Sequence, residues 1–370
     1  MAILKKLVVQ DFRNIGLAEL EFSPNINCIS GGNGAGKTNL LDSIHYLSMT
    51  KSAFSTSDRF NFRHGTSSFS LSGVYLMENG LESRFSAKIF SGGEKKLKCD
   101  DKPYSKISEH IGRLPVVMVS PYDSSMISDS GEERRRFMNS VLSQMDKSYL
   151  YDVQQYNRIL AQRNKLLKEN PDMLELLAVY DEKLSAPAER IFNFRKKFAE
   201  ALTPVVKEYY ASLSGGGEDV SISYSSDLEK GSLASLLASS IDKDRIFKYT
   251  TVGIQRDDLL FFMDGHPIRR CGSQGQQKSF LVSLKFAQYE LMKERYGYPP
   301  ILLLDDVFDK LDMDRISNLL SMVAGQEFGQ IFITDSNKVR LAGIVDHITE
   351  DRAYFETEAG RFTMGEVKDE

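Results

Sequence analysis

The stretch Gly31-Gly32-Asn33-Gly34-Ala35-Gly36-Lys37-Thr38 decides the reading of this 370-residue chain. It fits G-x-x-x-x-G-K-[ST] at every fixed position. Four glycines in eight residues let the backbone curl until successive N–H groups point inward at phosphate oxygens. Lys37 then supplies a point charge for the β- and γ-phosphates of ATP, and the Thr38 hydroxyl a ligand for Mg²⁺. The flanks agree. Ile26-Asn27-Cys28-Ile29 reads as a short strand, and Asn39 to Ile44 opens an amphipathic helix whose positive end faces the anion.

Two carboxylates follow at a distance. Ile301-Leu302-Leu303-Leu304-Asp305-Asp306 is an apolar strand with acids at its C-terminal tip, where open α/β sheets bind ligands. Asp305 is expected to hold Mg²⁺, directly or through water, and Asp306 to orient or deprotonate the attacking water. Between Thr38 and Ile301 lie far more residues than a compact nucleotide fold needs, so the two halves must close around an inserted lobe.

Cys271-Gly272-Ser273-Gln274-Gly275-Gln276-Gln277-Lys278-Ser279 forms a third element. Ser273 sits at a helix N-cap position, Gly275 permits close backbone approach, and Gln274 and Gln276 offer neutral donors. A hydroxyl, a glycine amide and a helix N-terminus make a second γ-phosphate receptor. One phosphate cannot easily use two such receptors from a single chain, so this motif is expected to reach the nucleotide of a second copy. Ser91-Gly92-Gly93-Glu94 and Ser214-Gly215-Gly216-Gly217-Glu218 imitate the Ser-Gly-Gly signature, but neither opens a helix, and both read as loops.

The remaining pattern is an α/β fold: a phosphate-loop ATPase head with a mixed or parallel sheet, an antiparallel β subdomain and a helical arm. Ile3–Gln10 alternates like an edge strand, and Phe69–Met77 and Leu81–Phe90 flank an Asn79-Gly80 hairpin turn. From 131 to 219 the periodicity is helical, with Pro171, Pro187 and Pro204 separating three or four helices and Gln144 on the surface. The expected domains are thus 1–130 and 220–370, forming the head, with 131–219 inserted as the arm. Hydrophobic and charged contents of 41% and 26% describe an ordinary globular chain. No apolar run is long enough to span a membrane, and Met1–Lys6 opens no signal-peptide core, so a cytoplasmic, membrane-free protein is expected. Cys28, Cys99 and Cys271 are too scattered for a disulfide framework or a metal site. With a formal charge of −4, nucleic-acid binding must rest on local basic clusters. Lys95, Lys96 and Lys98 form one candidate cluster and Arg195, Lys196 and Lys197 another; their phosphate contacts would be sequence-independent and salt-sensitive.

These motifs together resemble the ABC-type ATPases that act on DNA, and within them the RecF family. The resemblance is carried by Phe12-Arg13-Asn14, Gly31–Thr38, Lys51-Ser52, Arg134-Arg135-Arg136-Phe137, Tyr180-Asp181, Gly253–Asp258, Gly272–Ser279 and Leu304–Phe308, across essentially the whole chain. It implies ATP-dependent homodimerisation on DNA at single-strand gaps and single-strand–duplex junctions, with weak, DNA-stimulated ATP hydrolysis as a timer. It further implies the mediator partners RecR and RecO, recombinase loading and support of the SOS response. On this resemblance Ser273–Gln277 act as a signature in trans, and Asp309-Lys310-Leu311-Asp312 as the D-loop. Two departures stand out: Gln255 replaces a family histidine, and Asp335 stands where many ABC proteins carry a γ-phosphate-sensing histidine. A transporter-type or SMC-like subunit without a DNA role is the alternative. It predicts a coupling surface for membrane loops that the sequence does not display.

Overall fold

The structure, a computed structural model, describes residues 2–309, 313–324, 328–337, 343, 345 and 349–365. It divides into two compact units. The first comprises Met1–Asp123, Ser212–Ser214 and Leu281–Glu370, and the second Ser124–Ala211 and Gly215–Phe280.

The first unit holds two sheets. The antiparallel one contains β1 (Ile3–Phe12), β2 (Ile15–Glu21), β4 (Ser68–Leu76), β5 (Glu82–Phe90), β6 (Lys95–Cys99) and β7 (Lys102–Pro103), in the order β2-β1-β4-β5-β6-β7. Buried and half-exposed residues alternate strictly along β4, as expected of a sheet with one face on the core. β1 lies inside this sheet, paired on both sides, although its alternation resembled that of an edge strand. The other sheet contains β3 (Ile26–Ser30), β8 (Val116–Val119), β12 (Ile301–Leu304), β13 (Ile331–Asp335), β14 (Arg352–Glu358) and β15 (Arg361–Met364). Its order is β15-β14-β3-β13-β12-β8, parallel from β14 to β8. β3, β8, β12 and β13 are buried at every residue, which is why they read as continuous apolar runs. Helix α1 (Lys37–Met49) packs Leu40, Leu41, Ile44 and Leu47 into one core with both sheets. α9 (Met313–Ala324) also belongs to this unit.

The second unit contains α2 (Ser125–Ser128), α3 (Gly131–Met145), α4 (Lys147–Glu169), α5 (Leu174–Ser214), α6 (Leu233–Phe247) and α7 (Ile268–Cys271). Its sheet is formed by β9 (Val220–Ser225), β10 (Asp258–Met263) and β11 (His266–Pro267), in the order β11-β10-β9. Residues 220–280, expected in the head, thus belong to the unit that contains the helices. The reason is local: β9 pairs with β10, and Arg195 and Arg134 tie the start of β10 to α5 and α3. The division falls inside α8 (Gln274–Tyr296).

Proline punctuation also misled. Pro171 does separate α4 from α5, but Pro187 and Pro204 lie within the 41-residue α5. A proline removes one helical hydrogen bond, and tertiary ties on either side can hold the helix together. Arg190 grips Asp152 and Arg195 grips Asp257 along this stretch. Gln144, expected on the surface, is buried on α3.

Candidate nucleotide site

The phosphate loop joins the end of β3 to the start of α1. Gly36 precedes the helix at φ +121°, a conformation that favours glycine, and no side chain caps the helix N-terminus. Gly31 is fixed by space instead: a Cβ there would lie 2.4 Å from the Thr357 carbonyl oxygen. Lys37 is 4% exposed, and its ammonium donates to the carbonyls of Gly31 (2.8 Å) and Gly32 (3.3 Å). The loop thus holds its own cation over an arc of backbone, which is the donor set a polyphosphate requires.

Asp305, at the tip of β12, is brought directly to this loop. Its two carboxylate oxygens each lie 2.9 Å from the Thr38 hydroxyl, and Thr334 donates to one of them at 2.8 Å. Asp305 is 2% exposed, and no ion pair involves it among the described residues. Burial pushes its carboxyl up to about 6, with the charge of Asp306 adding to the shift and the two hydroxyls and Lys37 opposing it. A buried carboxylate beside a threonine hydroxyl, in no ion pair among the described residues, fits a divalent ion. The chain turns at once after it: Asp306 adopts φ +43°, and its N–H donates to Thr334 Oγ1 at 3.0 Å. Asp335 is buried at the end of β13, its carboxylate accepting from Asn337 N at 2.7 Å. Of the expected D-loop, Asp309 donates its N–H to the Asp306 carbonyl, while Lys310, Leu311 and Asp312 lie outside the described residues.

Two supports of the loop were absent from the sequence reading as site residues. Asn14 donates to the Gly34 carbonyl and accepts from Asn39, whose side-chain oxygen accepts from Arg13. Arg13 is in turn anchored on Asp42 at 2.8 Å and on Ser52 at 2.9 Å. Burial raises the Asp42 carboxyl, and Arg13 opposes that rise. From the far end of the chain, the end of β14 and the turn after it give Ala35 O two donors: Thr357 Oγ1 at 3.2 Å and Gly360 N at 2.7 Å. The Phe12-Arg13-Asn14 turn was visible as a motif, but nothing local announces the contact from Thr357 and Gly360.

Ser273 and Gln276 form a reciprocal cap in the second unit. Ser273 N donates to Gln276 Oε1 at 2.8 Å, and Gln276 N to Ser273 Oγ at 3.2 Å. Gln276 Nε2 also holds Glu218 at 2.7 Å, while Ser273 and Gln274 are exposed and Gly275 is half-buried. The signature segment and the phosphate loop belong to different units. Both Ser-Gly-Gly imitations are turns: one joins β5 to β6, and the other leaves α5 through Gly215 at φ +77°.

The basic clusters separate sharply. Lys96 and Lys98 are exposed on β6, and Lys196 and Lys197 on α5. Lys95 is committed within the fold, 2.7 Å from Asp58 and 3.1 Å from the Thr50 carbonyl. Arg195 is 3% exposed and pairs with Asp257 at 2.5 Å, with further bonds to Tyr149, Asn139 and the Ile254 carbonyl. It is a core residue and leaves the set of candidate DNA contacts; helical periodicity could not separate it from Lys196 and Lys197.

The RecF/RecN/SMC N terminal domain family matches residues 3–349. The DNA replication and repair protein RecF of Parabacteroides distasonis is 44% identical over 97% of this chain and 98% of its own length. The chain belongs to the RecF family. The RecF of Bacteroides fragilis is similar to the same degree, 41% identical over 99% of this chain. Among solved structures, a RecF–ATP structure, described as a recombination mediator protein of the RecFOR pathway, superposes with a TM-score of 0.89. It is 29% identical and covers 99% of this chain and 98% of its own. An Smc head domain from Pyrococcus furiosus, 16% identical with a TM-score of 0.58, shares the fold. Among the described residues no helix is long and apolar enough to cross a membrane.

Proposed function

We propose that the chain is an ATP-gated DNA clamp of replication and recombinational repair. Gly31–Thr38 and Asn39 bind ATP, and Lys37 neutralises its phosphates. Thr38 and Asp305 would hold Mg²⁺, which would supply positive charge to offset that of the phosphates. Asp306 orients the attacking water or takes its proton. Ser273, Gln274, Gly275 and Gln276 complete the site of a second copy, so that two heads close over two nucleotides. Closure grips DNA without regard to sequence, at single-strand gaps and single-strand–duplex junctions, and hydrolysis reopens the dimer. ATP can bias this equilibrium only by its difference in affinity for the open and closed states. Lys96, Lys98, Lys196 and Lys197 are the retained basic candidates for DNA contact. RecR and RecO are the expected mediator partners, and the cytoplasm the expected compartment.

The observation that carries this reading is the meeting of Thr38 with both oxygens of Asp305, a buried acid in no ion pair among the described residues. The test is the solution mass of Asp306→Asn with ATP and Mg²⁺, measured by light scattering beside the double variant Asp306→Asn/Ser273→Arg. ATP-dependent doubling that Ser273→Arg abolishes is expected. A mass that stays monomeric with and without DNA would sink the clamp.

A further inference from the structure

Within the helical unit, α4 and α5 line a groove of about 550 Å³. Tyr151, Asp152, Gln155 and Arg158 line it from α4, and Lys183 and Arg190 from α5. Asp152 is the one carboxylate in this lining, and its charge is already answered. Arg190 holds both of its oxygens, at 2.8 and 2.7 Å, and Asp152 is only 2% exposed. Arg158 and Lys183 are exposed and make no ion pair among the described residues; Arg158 donates to the Gln155 side chain. Tyr151 is 60% exposed at the same groove and stacks on no other ring among the described residues.

An unstacked aromatic ring, two uncompensated cations and a neutral amide in one concavity are the elements that bind nucleic acid through base faces and phosphates. The ring favours a single strand, whose base faces are open for stacking, over a duplex, whose base faces are covered by their neighbours. An acidic peptide would satisfy Arg158 and Lys183 but would leave the exposed Tyr151 face without purpose. We propose that this groove binds single-stranded nucleic acid, with a base on Tyr151 and flanking phosphates on Arg158 and Lys183. The inference rests on the DNA-binding reading and deepens it by assigning a strand-selective site on the arm.

The experiment uses the full chain, with fluorescently labelled oligo-dT and a duplex of equal length, titrated at several salt concentrations. Tyr151→Ala is expected to weaken oligo-dT binding about fivefold to a hundredfold, the effect of losing one stacked base, with duplex binding unchanged. Lys183→Ala is expected to reduce the salt slope for the single strand by about 0.7. Thermal midpoints and ATP-dependent mass should match the wild type, since both side chains are exposed. Equal losses for both strand forms, or none for either, would overturn the groove assignment while leaving the DNA reading intact. So would a labelled poly-glutamate peptide whose binding depends on Lys183 while oligo-dT binding does not. Wild-type protein that binds neither strand form would overturn the DNA reading, and the groove with it.

Discussion

Buried carboxylates are partnered in more than one way across the two units. In the helical unit each is answered by a guanidinium: Asp257 by Arg195, and Asp244 by Arg163, both arginines being almost wholly buried. In the nucleotide unit Asp42 follows the same rule, paired with Arg13. Asp305 does not. It is as buried as the others, yet its partners are the hydroxyls of Thr38 and Thr334. A paired acid is a finished structural element; an acid held only by hydroxyls retains its demand for a cation. The contrast separates what holds this protein together from what it is built to bind.

The largest expected effect breaks the paired class. Arg195→Met should destabilise the protein by about 3–5 kcal/mol, because Asp257 is left buried and charged without its partner. Chemical denaturation would read it as a lower midpoint, and Arg195→Met/Asp257→Leu should recover most of the loss. The same experiment tests the removal of Arg195 from the DNA-contact set. A variant of normal stability and weakened DNA binding would reverse that conclusion.

Asp305→Asn should do the reverse, losing function while gaining stability. ATP hydrolysis is expected to fall about a hundredfold to a thousandfold, the usual effect of deleting one preorganised electrostatic group. The sign of the stability change follows from the raised carboxyl at about 6. The unfolded carboxyl titrates near its ordinary value of about 3.9, so folding penalises the ionised form, in full above pH 6 and not at all below pH 4. With no metal added, Asp305→Asn should therefore be more stable than wild type by on the order of 2–3 kcal/mol at neutral pH. That advantage should shrink as pH falls from 6 to 4. A pH-independent difference would show that Asp305 is not penalised by burial. In the wild type, hydrolysis at limiting Mg²⁺ should decline as acid protonates Asp305 through pH 6.

The same contrast explains what could be read from the sequence. Gly31–Thr38 binds through backbone geometry that eight consecutive residues dictate, and Asp305 stands at the tip of an apolar run, so both were legible. Arg195 was not, because its burial depends on Asp257, Tyr149 and Asn139, contributed by other segments. The boundary inside α8 was hidden for a similar reason: the helix continues while its surroundings change. Pro187 and Pro204 obeyed tertiary support in place of local propensity. Arg13 on Asp42 and Thr357 on Ala35 join distant segments, and periodicity carries no information about such meetings.

The smallest effect asks whether the turn after β14 serves the loop or merely the sheet. Thr357 is 5% exposed, and its hydroxyl donates to Ala35 O, which also accepts from Gly360 N. Thr357→Val keeps the shape and removes only that donor, while Ala35 O keeps its other partner. The loss is then about one net hydrogen bond, 0.5–1.5 kcal/mol. If the turn sets the phosphate-loop conformation, ATP binding also weakens about twofold to tenfold, beyond the small fall in thermal midpoint that losing the bond brings. If it only braces the sheet, the midpoint falls and ATP affinity does not move. Gly360→Ala provides the upper bound: its Cβ would lie 2.3 Å from the Asn14 carbonyl oxygen at φ +78°. It must therefore displace Asn14, and with it the support of Gly34 and Asn39. A graded response, small for Thr357→Val and severe for Gly360→Ala, would place the chain's C-terminal hairpin among the elements that shape nucleotide binding.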